Sequence, residues 1–111
     1  MVTTPQNVAV EDVNRGISMF DKVEVEILGV VENMSYYDCQ KCSKRHKIFG
    51  EGGARAICEQ FRLNFYGELP LSLSLRRAGD EGRPLVGEGE ESQNFKRLAG
   101  KLVTSLRSMV A

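Results

Sequence analysis

Apolar residues along this chain alternate between a helical rhythm and short, nearly unbroken runs. Val10, Val13, Ile17 and Phe20 recur at spacings of three, four and three, which predicts a helix over about residues 5–21. Thr4 suits its N-cap and Pro5 its first turn, where a missing N–H costs nothing. Val2 to Thr4 reads as the tail of a strand that begins before this sequence does. Residues 25–32 form the strongest strand. Their run Ile27-Leu28-Gly29-Val30-Val31 is the pattern of a strand covered on both faces. Ala54, Ile57, Cys58 and Phe61 make the buried stripe of a helix from about Gly52 to Arg62. Phe65 to Leu69 reads as another buried strand, stopped by Pro70. A short helix over Leu73–Ala78 follows, then a Gly-rich acidic loop from Gly79 to Glu91. Ser92 reads as the N-cap of the last helix, with Phe95, Leu98, Ala99, Leu102, Val103 and Leu106 on its apolar face.

Strands alternating with helices predict an α/β layered domain with parallel strands. Three strands are legible and the first is a stub, so residues 1–111 read as a single partial domain: a partial parallel sheet with flanking helices. The segment from Tyr36 to Gly50 is polar and without period, and is expected to be a loop with a short hairpin.

Charge narrows the function. Fifteen basic and fifteen acidic residues cancel, which argues against a general nucleic-acid binder, since neutralising phosphates needs a basic surplus. No run approaches the roughly 18 apolar residues of a membrane span, so no membrane partner is expected. Three cysteines, two close together, point to thiolate chemistry in a reducing compartment, not to a disulfide scaffold.

Cys39-Gln40-Lys41-Cys42 is the chemical centre. Two thiolates at i and i+3 can hold one metal or one edge of a cluster, but a structural zinc site or a four-iron cluster usually takes four ligands. A symmetric dimer in which each chain gives Cys39 and Cys42 completes the set. The alternatives stay open: zinc held by Cys39, Cys42 and His46 with an outside ligand, a redox pair, for which the flanking residues start a helix poorly, or an idle pair. Cys58 lies on the core face of its helix and is not expected to be a ligand. The basic residues Lys41, Lys44, Arg45 and Lys47, with His46 among them, read first as a solvated loop, in which the cations would also stabilise nearby thiolates.

Thr3-Thr4-Pro5-Gln6, Leu28-Gly29-Val30-Val31-Glu32-Asn33-Met34-Ser35, the Cys39/Cys42 pair and Ile48-Phe49-Gly50 occur in one order and spacing. With Gly67-Glu68-Leu69-Pro70-Leu71 and Arg77-Ala78-Gly79-Asp80-Glu81-Gly82-Arg83-Pro84, they resemble the second half of the Mrp/ApbC family over residues 2–86. The resemblance implies the C-terminal half of a deviant Walker P-loop NTPase fold. It implies a carrier of a 4Fe-4S cluster, bridged by the cysteine pairs of a homodimer or related heterodimer and delivered to recipient apo iron–sulfur proteins. It also implies ATP binding, with Asn33 and the loop at Pro70 and Leu71 near the base, and a cytoplasmic or mitochondrial-matrix location.

The sequence departs from that family in one large respect. It holds no G-x-x-x-x-G-K followed by Ser or Thr, and Gly50-Glu51-Gly52-Gly53 is not a replacement. ATP is therefore expected to bind only with the missing N-terminal half, and the chain alone is expected not to hydrolyse it. Ser72 stands where the family often has Asp. A zinc-binding interaction module and a non-catalytic structural fragment are the competing readings.

Overall fold

The computed structural model describes residues 1–85 and 89–110. Its elements in chain order are β1 (Val2–Thr3), α1 (Asn7–Lys22), β2 (Gly29–Glu32), β3 (Tyr37–Asp38), β4 (Arg45–His46), α2 (Gly53–Phe61), β5 (Asn64–Glu68), α3 (Leu73–Glu81) and α4 (Glu90–Val110). β1, β2 and β5 form a parallel sheet in that order, and β3 and β4 pair as a separate antiparallel hairpin. The expected α/β architecture and hairpin are both present. Of the Gly/Glu stretch at 87–91, residues 87 and 88 lie outside the described residues.

Successive β2 side chains point to opposite faces, and this splits the core in two. Val30 joins Ile17 of α1 and Ala54, Ile57 and Cys58 of α2 on one face. Val31 joins Tyr66 and Leu69 on the other, where Leu98 and Leu102 of α4 cover them. β5 carries one extra residue there: Phe65 opposes Val30 and Gly67 opposes Val31, so Tyr66 is bulged. Gly67 sits at φ 139, a backbone state that favours glycine, and the Tyr66 hydroxyl donates to Ser105 Oγ on α4 at 2.7 Å.

Several boundaries differ from expectation. β2 starts at Gly29 rather than Val25, because its register aligns Gly29 with Asn64, the first residue of β5, and leaves Val25–Leu28 without a strand partner. Ile27 and Leu28 are apolar because they pack on the two opposite clusters. α1 begins at Asn7, with Gln6 as N-cap instead of Thr4, whose hydroxyl donates to Gln6 Oε1 at 3.0 Å. Pro5 precedes the helix because it is pressed against α2: a Cβ on Gly53 would lie 2.9 Å from the Pro5 carbonyl oxygen and 2.8 Å from Val10 Cγ2. α3 runs past Gly79 to a left-handed Gly82 cap, spanned by an Arg76–Asp80 ion pair. Ser92 is not an N-cap but a buried residue inside the first turn of α4. Val103 and Leu106 stay exposed, because a sheet of three strands is too narrow to meet the whole apolar stripe of α4, and Phe95 lies instead beside Leu75 and Ala78 of α3.

One buried carboxylate joins these pieces. Glu32 ends β2 and is only 3% exposed. Its Oε1 accepts from Ser35 Oγ at 2.6 Å and its Oε2 from Ala54 N at 3.0 Å. α2 needs this outside acceptor: its N-cap is Gly52, which has no side chain, and its first turn holds no acidic residue. Glu32 is thus a helix cap supplied from another element. Glu32→Ala strands both donors and should lower stability by about 1–3 kcal/mol, read as a fall in the urea midpoint at unchanged m. An unshifted midpoint would show that water replaces the carboxylate.

Candidate metal centre

The site grows from the end of the sheet. Beyond β2, Asn33 N–H donates to the Thr3 carbonyl at 2.7 Å, and Ser35 N–H to the Leu69 carbonyl at 3.0 Å. Leu71 N–H then donates to the Tyr36 carbonyl at 2.8 Å, so the chains leaving β2 and β5 stay together past the ladder. Tyr36, buried, roots the hairpin at this point. Tyr37 pairs with His46, and Asp38 with Arg45.

The cysteines occupy the hairpin tip. Cys39 N–H donates to the Lys44 carbonyl at 2.9 Å, and Ser43 N–H to the Cys39 carbonyl at 2.8 Å, with Ser43 at φ 58. Cys39 is half-buried, Cys42 is exposed, and both are free thiols. The Cys39 thiol is held below its ordinary pKa by the backbone N–H of Cys42, then by that of Lys41, then by the Cys42 thiol. A turn that aims N–H groups at a sulfur forms a small anion cradle, and a thiolate is the metal-binding form. The two sulfurs share this turn, as the spacing implied.

The surroundings of the thiols are those of a solvated loop, with Lys41, Lys44, Arg45, His46 and Lys47 all exposed. The basic residues do not act as a common field on the thiolate: Arg45 pairs with Asp38 and Lys47 with Glu51, each at 2.9 Å, and backbone groups lower the Cys39 pKa. His46 is exposed in β4 and does not gather with the thiols: among the described residues no group of three or more His, Cys, Asp or Glu could hold a metal. Cys58 is buried in the core as expected, its thiol donates weakly to the Asn64 carbonyl at 3.6 Å, and burial raises its pKa.

A cavity of about 470 Å³ lies beside the hairpin, between it and the N-terminal ends of α3 and α4. Pro70 and Leu71 line it together with Cys39, whereas Asn33 does not. Asn33 Oδ1 accepts from the Met34 N–H at 2.9 Å, with Met34 at φ 52, so this oxygen serves a tight turn. Ser72 caps α3 by accepting from Leu75 N and donates to Glu91 Oε1 at 2.9 Å. Sequence reasoning missed Glu32 and the Asp38–Arg45 pair. For the pair there was a signal, opposite charges equidistant from a turn, which hairpin register converts into a cross-strand contact.

Iodoacetamide should separate the thiols. Cys39 should react with a half-maximal rate at a pH below that of an ordinary thiol, and Cys58 should react only on addition of urea. Mass spectrometry of labelled peptides reads both, and Cys58 labelling in native protein would contradict the core placement.

The model of the NUBPL iron-transfer P-loop NTPase family matches residues 1–106. A mitochondrial iron–sulfur protein required for NADH dehydrogenase, from Arabidopsis thaliana, is 46% identical over 98% of this chain and 36% of its own length. The iron–sulfur cluster carrier protein of Escherichia coli is 42% identical over 96% of this chain and 30% of its own. The iron–sulfur cluster transfer protein NUBPL of Dictyostelium discoideum is 40% identical over 96% and 34%. The chain thus spans about a third of the length of these relatives. A nucleotide-binding protein of Archaeoglobus fulgidus, solved with ADP, superposes with a TM-score of 0.62 at 34% identity, over 74% of this chain and 35% of that one. On its matched length, its parallel sheet and its relatives, this chain belongs to the family of NUBPL iron-transfer P-loop NTPases.

Proposed function

We propose that this chain carries an iron–sulfur cluster as cargo, with Cys39 and Cys42 supplying two of the four thiolates of a 4Fe-4S cluster. A second copy, or a related subunit, supplies the other two. The observation that carries this reading is the donor count: two free thiols meet at an exposed tip, and no third ligand joins them among the described residues. Relatives described as cluster carriers and transfer proteins support the cargo.

The chemistry follows from the turn. A cluster edge needs two deprotonated sulfurs on one side of the chain, and the N–H groups around Cys39 favour that state before iron arrives. Exposure of Cys42 leaves the bound cluster open to a second subunit and to the incoming thiols of a recipient apoprotein. Transfer is then ligand exchange: each arriving thiolate replaces a cysteine sulfur of this chain, and no electron need move.

Nucleotide binding is a second part of the proposal. Pro70 and Leu71 would flank the base, and Asn33 would offer its amide Nδ2–H, its oxygen being engaged in the turn. A relative described as mitochondrial and a bacterial carrier support a cytoplasmic or matrix setting. No helix among the described residues is long and apolar enough to cross a membrane.

Anaerobic reconstitution should give a brown dimer with about four irons per two chains, and Cys39→Ser or Cys42→Ser should abolish colour and dimer together. A cluster retained by the double variant would exclude the assignment. One zinc per monomer, lost in His46→Ala, would instead establish a zinc module. This polypeptide by itself should release no phosphate from ATP, because positioning and charge stabilisation reside in a phosphate loop it does not contain. Turnover that depends on Asn33 would contradict this.

A further inference from the structure

We propose that Arg45 is a positioning residue that locks the cysteine turn to the body of the domain; the inference rests on the carrier reading. One guanidinium makes three contacts. Its Nε donates to Asp38 Oδ1 at 2.9 Å and its Nη2 to Asp38 Oδ2 at 3.1 Å, while its Cζ lies 3.8 Å from the centre of the Tyr36 ring. The arrangement is forced by the register: Arg45 stands opposite Asp38, and Tyr36, two residues earlier, falls on the same face.

The consequence lies in what each contact is attached to. Asp38 immediately precedes Cys39. Tyr36 is 8% exposed, and its carbonyl is tied to Leu71 beyond β5. Arg45 therefore links the residue bonded to the ligand with the residue rooted in the sheet. The hairpin strands are only two residues each, too short to be rigid alone, and the other backbone bonds at the tip lie within the turn itself. Without the guanidinium, the two strands below the tip would be joined by a ladder of two residue pairs.

Arginine is suited to this and lysine is not. A planar fork can meet both carboxylate oxygens and still lie flat on a ring; an ammonium is a single point of charge. The pair is also well exposed, with side chains 50% and 42% accessible, so it adds little to global stability. Its effect is local, on the geometry presented to the metal. Partners that orient metal ligands from one shell out typically change metal affinity by roughly 10–100-fold when removed.

The test compares wild type, Arg45→Ala and Arg45→Lys in three measurements. In the metal-free protein, hydrogen exchange at the Cys39 amide should accelerate in both variants while the urea midpoint stays in place. With cobalt(II) as probe, the thiolate-to-cobalt charge-transfer bands should shift. Release of cobalt to a chelator should quicken by roughly 10–100-fold, and lysine should not rescue it. Variants that match wild type in exchange, spectrum and release would overturn the inference and leave the carrier reading standing. A fall in the urea midpoint that accounts for the whole effect would also overturn it, as would full rescue by lysine. If wild type binds neither cobalt nor cluster, the carrier reading fails, and the Cys39 exchange rate alone decides the role of Arg45.

Discussion

A single buried carboxylate holds the functional end of this fold together. Glu32 sits where β2 runs out, and its side chain closes the first turn of α2 while fixing Ser35 in the turn that follows. Its backbone carbonyl accepts from Leu69 N–H at 2.8 Å, which ties in the exit from β5. Three chain segments thus converge on one residue. A carboxylate withdrawn from water is tolerated when it is fully hydrogen-bonded and faces the positive end of a helix. The two glycines at 52–53 fit this constraint: Gly52 adopts φ 80 as a cap without a side chain, and Gly53 lets α2 approach Pro5 and Val10.

From that junction the cysteine turn is held by successively weaker links. β2 is buried throughout, Tyr36 is buried at the hairpin root, Arg45 and Asp38 are half exposed, and Cys42 is exposed at the tip. Such a gradient suits the proposed cargo role. The ligands must be held well enough to present two sulfurs together, yet stay accessible enough to be exchanged. Cys58 shows the opposite environment within the same chain: buried, its thiol raised in pKa, and bonded only to a carbonyl. Location, not residue type, separates the two kinds of cysteine.

The two faces of the sheet are unequally covered. α1 and α2 together close the face around Val30 and Ile57, which are essentially inaccessible. The opposite face has α4 alone, which leaves an apolar trough of about 330 Å³ running from Val2 past Leu28 to Leu98 and Leu102. The same inequality explains why Val103 and Leu106 remain at the surface although their spacing marks them as core-seeking.

Sequence alone determined the alternation of strands and helices, the inward stripes of α1 and α2, the loop character of residues 36–50 and the two-thiol centre at Cys39 and Cys42. Each depends on periodicity or on near neighbours, which a linear chain displays directly. Tertiary structure decided the rest. It set the start of β2, because a strand exists only where a neighbour is in register. It moved the starts of α1 and α4, because close packing at Gly53 and burial of Ser92 outweigh local capping preference. It kept His46 away from the thiols and gave Arg45 to Asp38 and Tyr36, because side-chain facing in a hairpin follows register. It also gave Glu32 its role as cap of a helix that starts about twenty residues further along the chain, a contact that no local pattern encodes.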